Sequence, residues 1–154
     1  MIKSSILLAD KEDAELLSEL TVKSKSFWGY SQKQLEGWHD DLTLTEEYIE
    51  DHEVFKLELG NQIIGYYSYK LEQNTALLDN MFLNPDNIGR GYGKSMMDHF
   101  INNIKLHNSR KALIYSDPNV ESFYSKFGFK TIGKLPSSIK GRFLPIMERT
   151  FKIK

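Results

Sequence analysis

From Ala76 to Leu83 the chain is a nearly solid apolar run of strand length, broken only by Asp79 and Asn80 and ended by Pro85. Glycines follow at 89, 91 and 93, and then Met96, Met97, Phe100, Ile101 and Ile104 recur at helical spacing. This order of strand, glycine-rich turn and helix constrains the fold more than any other feature. The run itself reads as a central strand buried on both faces.

The flanking sequence supplies the remaining elements. Ser5 to Leu8 has the pattern of a short strand, and Asp10 that of a helix cap, with Glu12, Asp13 and Glu15 favouring the positive end of a helix over about Lys11 to Lys25. Phe27, Trp28, Gly29 and Tyr30 interrupt it. Ser31 and Gln34 have capping-box spacing and predict a second helix with Leu35, Trp38 and Leu42 on one face; Thr43 with Glu46, or Thr45 alone, starts a third. Val54 to Leu59 and Gln62 to Leu71 flank Gly60 and Asn61 as a hairpin. Lys111 to Tyr115 is a buried-type strand. Asp117 and Pro118 open a brief helix lined by Val120, Phe123 and Phe127, and Phe129 to Lys134 with Phe143 to Phe151 read as two closing strands. The pattern predicts an α+β fold of one domain, residues 1–154, layered on one central sheet.

Composition sets the limits on function. Lys plus Arg total 20 against 21 Asp plus Glu, a net charge of -1, so no overall positive field draws the chain to nucleic acid or an anionic membrane. Cysteine is absent, which excludes disulfides, thiolate metal sites and a thiol nucleophile. No window approaches the roughly 20 apolar residues of a membrane span, and a cytoplasmic location is expected. His39, His52, His99 and His107 show no metal-ligand spacing, so no metal is expected.

The glycine segment carries the chemistry. Alternating glycines strip side chains from a turn before a helix, freeing backbone N–H groups to wrap phosphate oxygens beside Arg90 and Lys94, which reads as a diphosphate site. A P-loop fails because its first glycine falls on Ile88. The dinucleotide fingerprint fails on spacing, and too little chain follows for its remaining parallel strands.

Met81-Phe82-Leu83-Asn84-Pro85, the segment Gly89 to Lys94, and a second block from Asp117 to Phe129 together resemble the GCN5-related N-acetyltransferase (GNAT) family. The chain departs at Ile88, where the family often has Arg or Gln. The resemblance implies a mixed, mostly antiparallel central sheet, splayed between its fourth and fifth strands and flanked by helices, that admits acetyl-coenzyme A as co-substrate. By position, the backbone of Met81, Phe82 and Leu83 would face pantetheine and the acetyl carbonyl. Gly89, Arg90, Gly91, Gly93 and Lys94 would hold the diphosphate, and Asn119 would bond the pantetheine arm. Tyr124 falls where the family places the acid that protonates the departing sulfur, although a core aromatic is the competing reading of that position.

Direct transfer asks for an amide to hold the developing oxyanion, Phe82 or Leu83, such donors being worth about 2.7–4 kcal/mol elsewhere. It also asks for a route for the amine's proton. Asp79 is the candidate base, because a charge inside an apolar strand is costly unless paired or used; its neighbour Asn80 competes for the side of the strand that faces the cleft. Without cysteine or a nucleophile elbow, an acetyl-enzyme is not expected. Trp28 and Tyr30, in a cluster with Phe27 and Trp38, are candidate acceptor walls or plain packing. Ser137, Ser138 and Arg142 form a polar loop that would close over the acceptor or simply connect strands. The expected acceptor is a small-molecule amine, with no nucleic acid and no membrane as partner, and a homodimer stays open. The competing class is a non-catalytic acyl-coenzyme A-binding or sensing module.

Overall fold

Start signals in the sequence set the first helices. The Asp10 carboxylate accepts from the Glu12 N–H at 2.9 Å while the Asp13 carboxylate accepts from the Asp10 N–H at 3.0 Å, a reciprocal capping box that opens a 3-10 turn over Lys11–Asp13. Helix α1, Ala14–Ser26, follows directly. Ser31 and Gln34 repeat the device at 3.1 and 2.9 Å and open α2, Gln32–Gly37. Expected to run on through Leu42, this helix instead breaks after Gly37, a residue that stabilises a helix poorly. Trp38 leaves helical geometry, and α3, His39–Leu42, is a separate turn. Thr45 caps α4, Glu46–Asp51, its hydroxyl accepting from the Tyr48 N–H at 3.0 Å.

The computed structural model describes residues 3–137, 139 and 141–152. Its strands are β1 (Ser4–Leu8), β2 (Glu53–Leu59), β3 (Gln62–Glu72), β4 (Thr75–Leu83), β5 (Lys111–Tyr115), β6 (Lys130–Pro136) and β7 (Phe143–Thr150), in one sheet of order β1-β2-β3-β4-β5-β7-β6. Strands β1 and β2 pair antiparallel, as do β5 with β7 and β6 with β7. Strands β4 and β5 are parallel, in register from Thr75↔Lys111 to Leu78↔Ile114. A parallel pair needs a long crossover, and α5, Tyr92–Leu106, supplies it. Helix α6, Glu121–Lys126, completes the set. No helix among the described residues is long and apolar enough to cross a membrane.

By internal contacts the chain divides into two compact units. The first comprises residues 1–68 and 80–99, and the second residues 69–79 and 100–154. In the first, Ala9, Leu17, Leu20, Leu44, Ile49, Val54 and Tyr66 form a core against which Phe82 packs. Thr21, fully buried, gives its proton to the Leu17 carbonyl at 2.7 Å, so the Tyr66 hydroxyl must be the donor in the 2.5 Å contact between them. Tyr67, fully buried, bonds His99 of α5, and Phe55 stacks on Tyr67 and meets His99 edge-on. Gly65 is required by crowding: a β-carbon there would lie 3.0 Å from the Phe82 carbonyl oxygen and 3.3 Å from Met96 Sδ. In the second unit the buried side chains include Tyr69, Ala76, Leu78, Phe100, Ile104, Ala112, Ile114 and Met147.

Burial of β4 differs from the expectation of a strand covered on both faces. Only Ala76 and Leu78 are buried, Asp79 is exposed, and Asn80 to Leu83 are half-buried. The apolar run is continuous, but its cover is not.

Two outcomes follow for stability. Gly65→Ala is expected to cost about 1–3 kcal/mol in urea denaturation, because the neighbouring contact is backbone and cannot swing away. Burial lowers the pKa of His99 below 6.5, so below that pH the unfolded chain binds a proton more readily than the folded one. The melting temperature should therefore fall as pH drops through and below 6.5 and be regained on raising it, with a shallower slope in His99→Gln.

Candidate active site

Beyond β4 the chain is held before it turns. The Asn84 N–H donates to the Ile64 carbonyl at 2.7 Å, its side chain accepts from the Asp86 N–H at 3.0 Å, and its carbonyl accepts from the Asn87 N–H at 2.9 Å. Pro85–Asn87 thus form one 3-10 turn on a buried asparagine. Ile88, Gly89, Arg90 and Gly91 follow, all exposed, with φ of 85° at Gly89 and 86° at Gly91. Those angles are open to glycine and strained for other residues.

The turn is shorter than the glycine spacing suggested. The Ser95 N–H donates to the Gly91 carbonyl at 3.1 Å, so Gly93 and Lys94 belong to the first turn of α5. Amides of a first helical turn lack an acceptor four residues back and carry the positive end of the helix dipole. Lys94 Nζ pairs with Asp98 Oδ2 at 2.6 Å on the same helix, both side chains about half exposed or more (70% and 49%), and Arg90 is exposed.

Within the same unit, Met81, Phe82 and Leu83 are half-buried, and the Phe82 ring lies 5.9 Å from that of Tyr66. Asn80, two residues before Phe82, shares the Phe82 face of β4. Its Nδ2 donates to Tyr48 Oη at 3.1 Å, and that hydroxyl lies 2.8 Å from Ser68 Oγ. His52 stacks on the Tyr48 ring at 3.8 Å and holds the Tyr48 carbonyl through Nδ1 at 3.0 Å, which places the ring proton on Nδ1. Sequence reasoning noticed Asn80 but missed Tyr48, Ser68 and His52 as its companions. Trp28 is exposed and sits edge-on to Phe27 at 5.0 Å. Tyr30 and Trp38 make a similar pair at 5.0 Å, and Lys25 Nζ stands 5.5 and 5.8 Å from their ring centres.

Among the predicted site residues, the second unit carries Asp79, Asn119 and Tyr124. Asp79 is exposed, so the cost of burying a charge, which singled it out in the sequence, does not act on it. Tyr124 lies on α6, 3% exposed, edge-on to Phe123 and Phe129. Burial, and then the charge of Asp117, push its pKa far above the ordinary 10.0, so the phenol keeps its proton at neutral pH. Asp117 Oδ1 accepts from both the N–H and Nδ2 of Asn119 at 2.9 Å, capping the turn Pro118–Val120, and Asp117 Oδ2 meets an Arg142 guanidinium nitrogen at 3.2 Å. Arg142 also donates to Ser137 Oγ at 2.8 Å, and Ser138 lies outside the described residues. Among the described residues no group of three or more His, Asp or Glu is placed to hold a metal ion.

The end of β4, the Gly89–Gly91 turn and the first turn of α5 lie consecutively within the first unit. The profile of the acetyltransferase (GNAT) domain matches residues 29–147, and the chain belongs to that family. Among solved structures, PaiA N-acetyltransferase from Thermoplasma acidophilum, in complex with coenzyme A, superposes with a TM-score of 0.81 at 22% identity over 97% of this chain and 99% of that one. The ribosomal-protein-S18-alanine N-acetyltransferase of Escherichia coli gives 0.74 at 16% identity over 99% and 96%. These likenesses show the fold. The uncharacterized N-acetyltransferase ycf52 of Gracilaria tenuistipitata var. liui is 31% identical over 68 residues, 44% of this chain but only 36% of that relative's length.

Gly91 gives a direct test of the turn. Nothing lies within 4 Å of a β-carbon added there, so Gly91→Ala should cost about 1–2 kcal/mol through backbone strain alone. Gly91→Asn, which tolerates positive φ better, should cost less in the same denaturation experiment.

Proposed function

We propose that the chain is a single-domain, acetyl-coenzyme A-dependent N-acetyltransferase that moves an acetyl group directly onto a primary amine of a small-molecule acceptor. The observation that carries this reading is the Gly89–Gly91 turn at positive φ, placed between β4 and the first turn of α5. It offers amides without side chains to a diphosphate, and the family membership points to the same ligand. Acetyl-coenzyme A supplies a thioester, whose carbonyl accepts the amine and whose sulfur departs.

The chain's own groups divide the work. Amides of Met81, Phe82 and Leu83 orient the arm and the carbonyl, and that of Phe82 or Leu83 stabilises the negative charge collecting on oxygen. Gly89, Gly91 and Gly93 bring amides to the diphosphate beside Arg90. Lys94 joins them at little cost, because an exposed pair such as Lys94–Asp98 contributes only about 0–1 kcal/mol. Asn119 steadies the arm. Tyr124 holds its proton until the sulfur leaves, then donates it. Asp79 takes the amine's proton through water, which its exposure permits, and Trp28 with Tyr30 forms the acceptor wall. Nothing in this scheme needs an oxidising compartment, in keeping with a cytoplasmic enzyme that has no cysteine. It also leaves room for a homodimer.

Tyr124→Phe is expected to lower kcat about 10²–10⁴-fold, the usual range for a lost general acid, while coenzyme A affinity by calorimetry stays within about threefold. Wild-type protein that binds coenzyme A yet releases no thiol across an amine library would instead be a sensing module. Acetyl-coenzyme A should also raise the melting temperature more than ATP or NAD at equal concentration, since stabilisation follows RT ln(1 + [L]/Kd).

A further inference from the structure

Three uncharged polar side chains, from α4, β3 and β4, meet inside the first unit. Asn80 Nδ2 donates to Tyr48 Oη at 3.1 Å, and that hydroxyl lies 2.8 Å from Oγ of Ser68, which is fully buried. Tyr48 is itself held: its ring stacks on His52 at 3.8 Å, and its carbonyl meets His52 Nδ1 at 3.0 Å. Tyr48 and Phe82 pack against the same hydrophobic core, that of Leu17, Ile49 and Tyr66. Polar groups among apolar neighbours are costly unless they pair or serve a ligand. Pairing accounts for Nδ2 of Asn80. It also fixes the amide so that Oδ1, the acceptor on the same carbon, is turned away from Tyr48.

The position of this amide along β4 gives it a use. Asn80 precedes Phe82 by two residues on one face, about 6–7 Å along the strand, whereas Asp79 faces the other way. The proposed function sets the acetyl carbonyl against the amide of Phe82 or Leu83. A nitrogen about 2.9 Å from an acceptor oxygen and about 3–3.5 Å from the carbon it attacks spans a gap of that size.

We infer that Asn80 seats the acceptor, its Oδ1 accepting one N–H of an uncharged primary amine so that the nitrogen lone pair faces the acetyl carbon. Tyr48 is the positioning residue behind it. This role rests on the reading that acetyl transfer takes place at β4. As the N–C bond forms and the C–S bond breaks, Asn80 neither gives nor takes a proton, and the surplus proton on nitrogen leaves through water. A neutral carbonyl oxygen also holds an ammonium less strongly than a carboxylate would, so the seat leaves the amine free to lose that proton before attack.

The test follows release of coenzyme A thiol with n-butylamine, benzylamine, ethanolamine and glycinamide, each varied at saturating acetyl-coenzyme A, with melting temperatures taken alongside. For the best of these amines, Asn80→Ala should lower kcat/KM about tenfold or more and leave the KM for acetyl-coenzyme A within about threefold. Asn80→Asp keeps an oxygen but adds a charge that holds the ammonium form. Its amine KM should therefore stay within about threefold or fall, while kcat drops about tenfold. Tyr48→Phe removes the hydroxyl that anchors Nδ2 and should lower the amine kcat/KM about threefold to tenfold, again without moving the KM for acetyl-coenzyme A. A residue that only held β4 in place would raise both KM values alike, and aspartate there would behave as alanine does. An amine kcat/KM within about twofold of wild type in Asn80→Ala, or equal rises in the two KM values, overturns the inference. If Asn80→Ala does not fold, Asn80→Asp decides, and an unchanged kcat there overturns it equally. A wild type that binds coenzyme A in calorimetry yet acetylates none of these amines removes the functional reading and the seat together, whereas turnover indifferent to Asn80 removes the seat alone.

Discussion

The parallel pairing of β4 with β5 is the constraint on which the site depends. Two parallel neighbours cannot be joined by a tight turn, so the chain must leave the end of β4, cross as a helix and return. Helix α5 is that crossing, and its N-terminus follows β4 after only eight residues, Asn84 to Gly91. Within those eight, Asn84 holds the strand end to Ile64 while Gly89 and Gly91 take the positive φ angles that reverse the chain. Apolar strand amides and helix-start amides thereby fall on consecutive stretches of sequence, the arrangement on which the proposed cofactor site rests.

Much of this was legible because its causes are local. The capping box of Ser31 with Gln34, the cap of Thr45, the hairpin at Gly60 and the order strand, glycine turn, helix depend on residues within a few positions of each other. The failures have local reasons too. The break at Trp38 follows from Gly37, whose effect was outweighed in the pattern by Leu35 and Leu42. Gly93 fell in the helix because a third glycine continues an alternating pattern equally well as turn or as first helical turn.

What depended on distant partners could not be read in that way. Apolar spacing shows that β4 can be buried, not how many of its residues receive cover, and the half-burial of Met81 to Leu83 and exposure of Asp79 are properties of the assembled sheet. Tyr48, Ser68 and Asn80 converge from α4, β3 and β4, and no periodicity links a tyrosine on a six-residue helix to a serine 20 positions later. Asp117 was visible as a cap through its proline neighbour, but its second oxygen serves Arg142, 25 positions on and beyond α6 and β6.

Two ion pairs, one in each unit, show how exposure sets what a pair of charges is worth. Lys94 and Asp98 face solvent, where attraction is screened and the pair is worth about 0–1 kcal/mol, so the lysine is held loosely and can exchange one anion for another. Asp117 and Arg142 are nearly enclosed, where removing one partner of a buried pair typically costs about 3–5 kcal/mol because the other is left uncompensated. An exchangeable cation suits a ligand that comes and goes. A nearly enclosed pair ties the segment before β7 to the turn after β5, because loss of either member leaves the other's charge without its counterion.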